Sequence, residues 1–294
     1  MYDKKLLKPL LKGIRCAFIS LIAGLCLGAC QEQHTYKSKS GLEYTLFSEG
    51  KDSLAHMGAI VKIHYIQQAG DSIIENTYEK LPIYYQVMAS QENQYNPLEV
   101  FDYGMRKGDS LVIVQQVDSM YKKGIIEDMP QWLNPGDTWT TYLKVVDVFT
   151  DDLSQQADRI VEIRKAIKRQ QEQGMERIQT YLHEAKIAGA KKDSLYVEVL
   201  QLGEGRLPGD TASLSLRYRF STLQGFVLVD TVGTKAQIIR MGTGYIPKVL
   251  EDQIKEYPIG SHLRVYLPQA LLYGVESPSQ EVDLDDDWII ELKY

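Results

Sequence analysis

The chain runs to 294 residues, enough for about two domains of ordinary size, and its 44% hydrophobic content with 19 tyrosines is that of a globular protein suited to strands. Residues 1–29 hold five basic residues and one acid, a net of +4, which leaves −10 for the rest of a chain whose total is −6. No basic patch follows the start, so nucleic acid is excluded as a partner, and the acidity speaks for solubility.

In chain order, Lys4, Lys5, Lys8, Lys12 and Arg15 precede an apolar run from Cys16 to Leu27, too short for a good membrane-spanning helix. The run closes on Leu27-Gly28-Ala29-Cys30, which resembles a bacterial lipobox. This predicts a lipoprotein signal peptide over 1–30, with Cys30 lipidated and left as the new N-terminus; an ordinary secretory signal and a retained anchor are the alternatives. Cys16 and Cys26 leave with the signal, so the mature chain holds no free thiol and no disulfide. Residues 31–40 are polar and read as a short tether.

From Gly41 short strands are predicted at Glu43–Ser48, Ile60–Gln67, Ile73–Thr77, Ile83–Met88, Leu111–Val117 and Thr138–Phe149. Residues 152–188 contain no proline and one glycine, Gly174, with apolar residues mostly at helical spacing. Lys168–Gly174 interrupts the stripe, which predicts two helical segments with a weak middle; a dimerising coiled coil is the sharper alternative, and the interruption is against it. Strands resume at Leu195–Leu200, Ala212–Phe220, Phe226–Val232, Gln237–Met241, His262–Leu267 and Trp288–Leu292, with a short helix at Lys248–Glu256. Each half is thus a set of antiparallel-looking strands with one short helix, an α+β pattern of a curved sheet wrapped on a helix.

The halves repeat one phrase. HYIQQAGDSIIENTYE (64–79) and RYRFSTLQGFVLVDTV (217–232) each carry a tyrosine, a glycine-containing turn and an apolar run leading to an acid, Glu75 or Asp230. The second half, with Gly209-Asp210, Leu216-Arg217-Tyr218, Val229-Asp230-Thr231, Met241-Gly242-Thr243-Gly244-Tyr245-Ile246-Pro247, Leu267-Pro268-Gln269-Ala270-Leu271-Leu272-Tyr273-Gly274 and Trp288-Ile289-Ile290-Glu291-Leu292, resembles the FKBP-type peptidyl-prolyl isomerases over about a hundred residues in one order. The first half resembles them more faintly, through Gly41-Leu42-Glu43-Tyr44, Val61-Lys62-Ile63-His64-Tyr65 and Gly104-Met105-Arg106-Lys107-Gly108-Asp109. It lacks the Ile-Pro loop, and Tyr121 stands where the loop tyrosine would fall. The resemblance implies a degenerate FKBP-like domain at 41–150, a helical connector at 151–192 and an isomerase domain at 193–294, with a 190–294 fragment expected to fold alone.

Rotating an Xaa–Pro bond crosses about 18–20 kcal/mol, and no acid, base or nucleophile is required. A dry apolar pocket favours the twisted amide, and hydrogen bonds hold the flanking carbonyls. The resemblance assigns Tyr218 and Trp288 as aromatic walls, the Ile246 backbone N–H and the Tyr273 hydroxyl as donors, and Asp230 to the rim. Val229 stands where the family carries a phenylalanine, the family's floor tryptophan falls near Val249 or Leu250 and a further aromatic near Gln237, and the resemblance puts Val229, Ile238 and Val249 at substrate-facing positions. The same residues also suit the core of a small sheet. His34, His56, His64, His183 and His262 are scattered, which leaves no metal-site spacing, and Gly242-Thr243-Gly244 lacks a dinucleotide context. No cofactor is expected. The implied function is isomerisation of proline-containing exported polypeptides by a protein lipid-anchored in a bacterial cell envelope; a non-catalytic binding scaffold is the alternative.

Overall fold

The computed structural model describes residues 32–48, 52, 54–88, 97–126, 132–134 and 136–294. The chain divides into two units, residues 1–155 and 156–294. Unit one contains β1 (Glu32–Lys37), β2 (Glu43–Ser48), β3 (Ile60–Ala69), β4 (Ser72–Asn76), β5 (Ile83–Gln86), β6 (Ser110–Gln116), α1 (Val117–Lys122) and β7 (Thr138–Phe149), with a 3-10 segment at Pro97–Tyr103. The strands form one antiparallel sheet in the order β1-β2-β6-β7-β3-β4, with β5 also on β3. Alternation along β3 sends Val61 and Ile63 into a core closed by Leu111, Ile113, Val145 and Phe101. The stretch expected as a tether holds β1, paired with β2 from Glu32↔Ser48 to Lys37↔Glu43.

Between the two sheets in sequence runs α2 (Asp152–Glu184); unit two continues with β8 (Ala190–Lys192), β9 (Leu195–Gln201), β10 (Ser213–Thr222), β11 (Val227–Asp230), β12 (Gln237–Arg240), α3 (Lys248–Glu256), β13 (His262–Leu267), α4 (Ala270–Tyr273) and β14 (Trp288–Lys293). Its sheet order is β11-β10-β14-β13-β9-β8, with β12 also on β10. Strand for strand this repeats unit one, β8 to β14 taking the places of β1 to β7. The α+β class and the two related sheets are as expected. On one face of the second sheet, Leu214, Leu216, Val265 and Ile290 meet Leu250 and Ile254 of α3, all fully or nearly fully buried.

The other face is covered by α2. Ile178 and Leu182 are buried against Tyr196 and Tyr266, with Met175, Tyr181, Leu223 and Ile289 around them. The register explains the division: Tyr266 pairs with Tyr196 and Ile289, while its neighbour Val265 pairs with Val197 and Ile290 on the core side. Beyond the helix this face turns charged, with Arg264 bonding Glu198 at 3.1 Å and facing Glu291 at 3.7 Å.

α2 is one continuous helix, not two segments. The polar stretch that interrupts its stripe is made of good helix formers, and Gly174, which costs about 1 kcal/mol relative to alanine in a helix, sits at the closest approach. A Cβ there would lie 2.7 Å from both Pro268 Cβ and Asp287 Oδ1. The stripe is not broken; a missing side chain and an ion pair take over from apolar contact. Gly174→Ala is therefore expected to destabilise unit two by about 1–3 kcal/mol despite its better helix propensity, because the helix must lift off Pro268. Urea unfolding of the two chains measures this.

Candidate functional site

In unit two a row of aromatic rings crosses β10, β14 and the β13–β14 connection. Tyr218 and Phe220 lie two apart on β10 and therefore share a face, with ring centroids 5.8 Å apart. Phe220 meets Trp288 at 6.3 Å, and Trp288 meets Tyr273 of α4 at 5.7 Å. Offset and edge contacts of this kind stabilise by about 0.5–1.5 kcal/mol beyond area burial. Trp288 is fully buried, and its Nε1–H has no acceptor among the described residues. It lies beneath the Tyr273 and Phe220 rings. Burial holds the Tyr273 phenol above its ordinary pKa, and its hydroxyl makes no hydrogen bond among the described residues.

Ile246 anchors its side chain in the core at 6% exposure. Its backbone N–H has no partner among the described residues and stands as a spare donor ahead of Pro247, the N-cap of α3. The loop before it is fixed from below. Glu251 of α3, itself buried, accepts the Gly242 N–H at 2.9 Å. Gly242 adopts φ +76°, and a Cβ there would meet the Asp210 carbonyl at 2.9 Å, so glycine is required. Of the two candidates for the floor position on α3, Leu250 is fully buried and Val249 is partly buried against the same core.

Gln237 organises the other end of the row. Its Oε1 accepts the Tyr245 hydroxyl at 2.9 Å and the Tyr218 hydroxyl at 3.3 Å. Burial and the neighbouring Tyr245 phenol raise the Tyr218 pKa. The pairing of Gln237 with Leu216 directs it to the core side of β12, and so Ile238 points outward, 76% exposed. Ile238 is thus not with the other site residues. Val229 pairs with Phe220 and shares its face, half-buried.

Asp230 stands on the opposite face of β11 from Val229. It pairs with Arg219, whose Nε is 3.7 Å from its carboxylate, and its Oδ1 accepts the Val232 N–H at 2.9 Å. Unit one clarifies this role. Thr77 Oγ1 accepts the Tyr65 N–H at 2.8 Å, as Thr231 Oγ1 accepts the Tyr218 N–H at 2.8 Å. Asn76 then matches Asp230, since its Oδ1 accepts the Tyr78 N–H at 3.0 Å. Both are turn-forming side chains. Glu75 corresponds to Val229, not to Asp230 as the sequence reading supposed. The Tyr65 hydroxyl donates to Glu75 at 2.7 Å, and burial first, then that bond, pushes the phenol up to about 12.

The repeat also contains a tryptophan that sequence reading missed. Ala69, four residues after Tyr65, pairs with Trp139, as Thr222, four after Tyr218, pairs with Trp288. In unit one the β6–β7 connection folds over that position: Val117, Ile126 and Leu133 pack with Trp139 and Ala69. Tyr121 points away, 50% exposed, and does not stand in for the loop tyrosine. Cys30 and the leader lie outside the described residues, and among the described residues no helix is long and apolar enough to cross a membrane.

No family model matches the chain, and no curated protein matches it. Among solved structures, it is similar to a peptidyl-prolyl cis-trans isomerase from Pseudomonas syringae pv. tomato at 18% identity, covering 42% of this chain and 91% of that one, with a TM-score of 0.35. It is similar to FkpA from Escherichia coli at 17% identity and a TM-score of 0.35, covering 47% of this chain and 63% of that one, under two thirds of its length. The three FKBP domains of wheat FKBP73 align at 13% identity over 86% of this chain and 93% of that one, with a TM-score of 0.32.

Proposed function

We propose that unit two binds proline-containing segments of exported polypeptides and speeds cis–trans rotation of the Xaa–Pro bond. The observation that carries this reading is the coincidence of the aromatic row with two unused donors, the Ile246 N–H and the Tyr273 hydroxyl, on segments that resemble the isomerase loops. Apolar rings favour the twisted amide, which has lost resonance and charge separation. The two donors hold flanking carbonyls while the bond turns, and each net hydrogen bond of about 1.4 kcal/mol realised only in the transition state is worth tenfold in rate. No side chain has to give or take a proton. In the same reading, unit one holds chain without turning over proline bonds, because its own β6–β7 connection covers Trp139.

A second reading is favoured by the full burial of Trp288 and the engagement of Asp230 with Arg219: a peptide-binding scaffold without catalysis. Refolding of a substrate protein limited by a proline step separates the two. Catalysis requires the slow phase to quicken at substoichiometric amounts of the chain, whereas a scaffold leaves its rate constant unchanged or slows it by holding. We further propose that lipid on Cys30 tethers the protein to an envelope membrane. Cys30→Ser is expected to move it from the membrane to the soluble fraction of the cells, and retention in the membrane would contradict the tether.

A further inference from the structure

We infer that α2 is a working part of the unit-two site: through Asp287, Arg177 sets the position of the loop that carries Tyr273. The inference rests on the isomerase reading for its consequence, and on geometry for its substance. Asp287 is fully buried and receives two bonds from one guanidinium, Arg177 Nε to Oδ2 at 2.7 Å and Nη2 to Oδ1 at 3.1 Å. The same Oδ1 accepts the Gln269 N–H at 3.3 Å. Gln269 opens the short helix α4: its carbonyl accepts the N–H groups of Leu272 at 2.9 Å and Tyr273 at 3.0 Å, and its Nε2 donates to the Glu276 carbonyl at 3.2 Å. The carboxylate therefore joins the helix to the start of the Tyr273 loop, and Gln269 carries the link on to the loop's far end at Glu276. The backbone carbonyl of the same residue holds the β10–β11 hairpin, accepting the Leu223 N–H at 2.9 Å. The next residue is Trp288, the floor under the Tyr273 ring.

α2 follows the loop further. Ile167 Cδ1 lies 3.6 Å from where a Gly274 Cβ would stand, and the bare backbone of Gly174 lets the helix close on Pro268. The apolar seam of Ile178 and Leu182 already docks the helix on the sheet. An ion pair on a buried carboxylate adds little net stability over apolar residues of the same volume, but a two-bond guanidinium–carboxylate contact fixes direction. It lies at the loop, not in the seam, so what it fixes is the loop.

The test uses the full chain and three variants: Arg177→Met, Arg177→Lys and Ile178→Val, the last weakening the seam without touching the loop. Two readouts are taken at equal fraction folded: kcat and KM for an Xaa–Pro peptide, and hydrogen exchange of the Leu272 and Tyr273 amides. Arg177→Met is expected to lower kcat about tenfold and to speed exchange of those amides by at least about tenfold, the loss of some 1.4 kcal/mol of positioning. Arg177→Lys restores most of both. Ile178→Val lowers the unfolding midpoint and leaves kcat unchanged. Unaltered loop exchange in Arg177→Met, or a kcat that follows stability alike in Arg177→Met and Ile178→Val, overturns the inference. If the unaltered chain turns over no peptide, the isomerase reading fails by itself, and loop exchange still decides whether Arg177 positions Tyr273.

Discussion

A fragment spanning 190–294 is expected to be unfolded or aggregated, whereas 156–294 folds cooperatively. The shorter fragment keeps every strand of the second sheet but loses α2. Tyr196 and Tyr266 would then face water across one side of the sheet, and Ile178 and Leu182, which cover them, would be gone. Burial of four such side chains stabilises by about 6–12 kcal/mol, at 1.5–3 kcal/mol each. That is as large as the whole net stability of a domain, about 5–15 kcal/mol. The loss of Arg177 adds to it by leaving the Asp287 carboxylate buried without its cation. Far-UV circular dichroism and urea titration of the two fragments give the answer. A 190–294 fragment as stable as 156–294 would show that α2 is only a connector, as its sequence first suggests.

Trp288→Ala is expected to cost about 3–5 kcal/mol, the range for removing a fully buried large side chain, because the hole it leaves is walled by Phe220 and Tyr273 on strands and a helix that cannot all close in. Trp288→Phe should behave differently. The indole N–H is buried without an acceptor among the described residues, and an unmade hydrogen bond of that kind costs about 1–3 kcal/mol. Phenylalanine removes the unsatisfied donor and gives up some volume, so the two effects offset and the net change should stay within about 1 kcal/mol. Urea unfolding followed by circular dichroism distinguishes the pair. Equal large losses for both variants would mean that the indole N–H has a partner in solution.

The strands were legible because one face of each sheet is buried and residues alternate: β7, β13 and α3 fall within the predicted bounds to the residue. What was illegible depended on residues far apart in sequence. Lys168–Gly174 reads as a break in a helical stripe until Pro268 is seen against Gly174, and nothing local marks Arg177 as the partner of Asp287. The exchange of Asp230 for Glu75 as matching acids arose from hairpins of unequal length, with Gly70 and Asp71 between β3 and β4 but Leu223–Phe226 between β10 and β11. Each hairpin also carries a register shift, at Gln67/Gln68 and at Phe220/Ser221, that no local pattern announces. Other misses were avoidable. Phe220 stands two residues after Tyr218, on the same face by strand period, and Ile238 stands one residue from Ile239, which is buried on the core side.

On the proposed function, the aromatic row and its two spare donors, the Tyr273 phenol and the Ile246 amide, turn proline bonds. Exchange spectroscopy by NMR on a short Xaa–Pro peptide, with catalytic amounts of the full chain, measures this without a coupled protease. The cis–trans exchange rate should rise in proportion to added protein, and Tyr273→Phe should lower that slope about tenfold while the variant keeps its fold. An exchange rate that does not change on addition of correctly folded chain would contradict the claim.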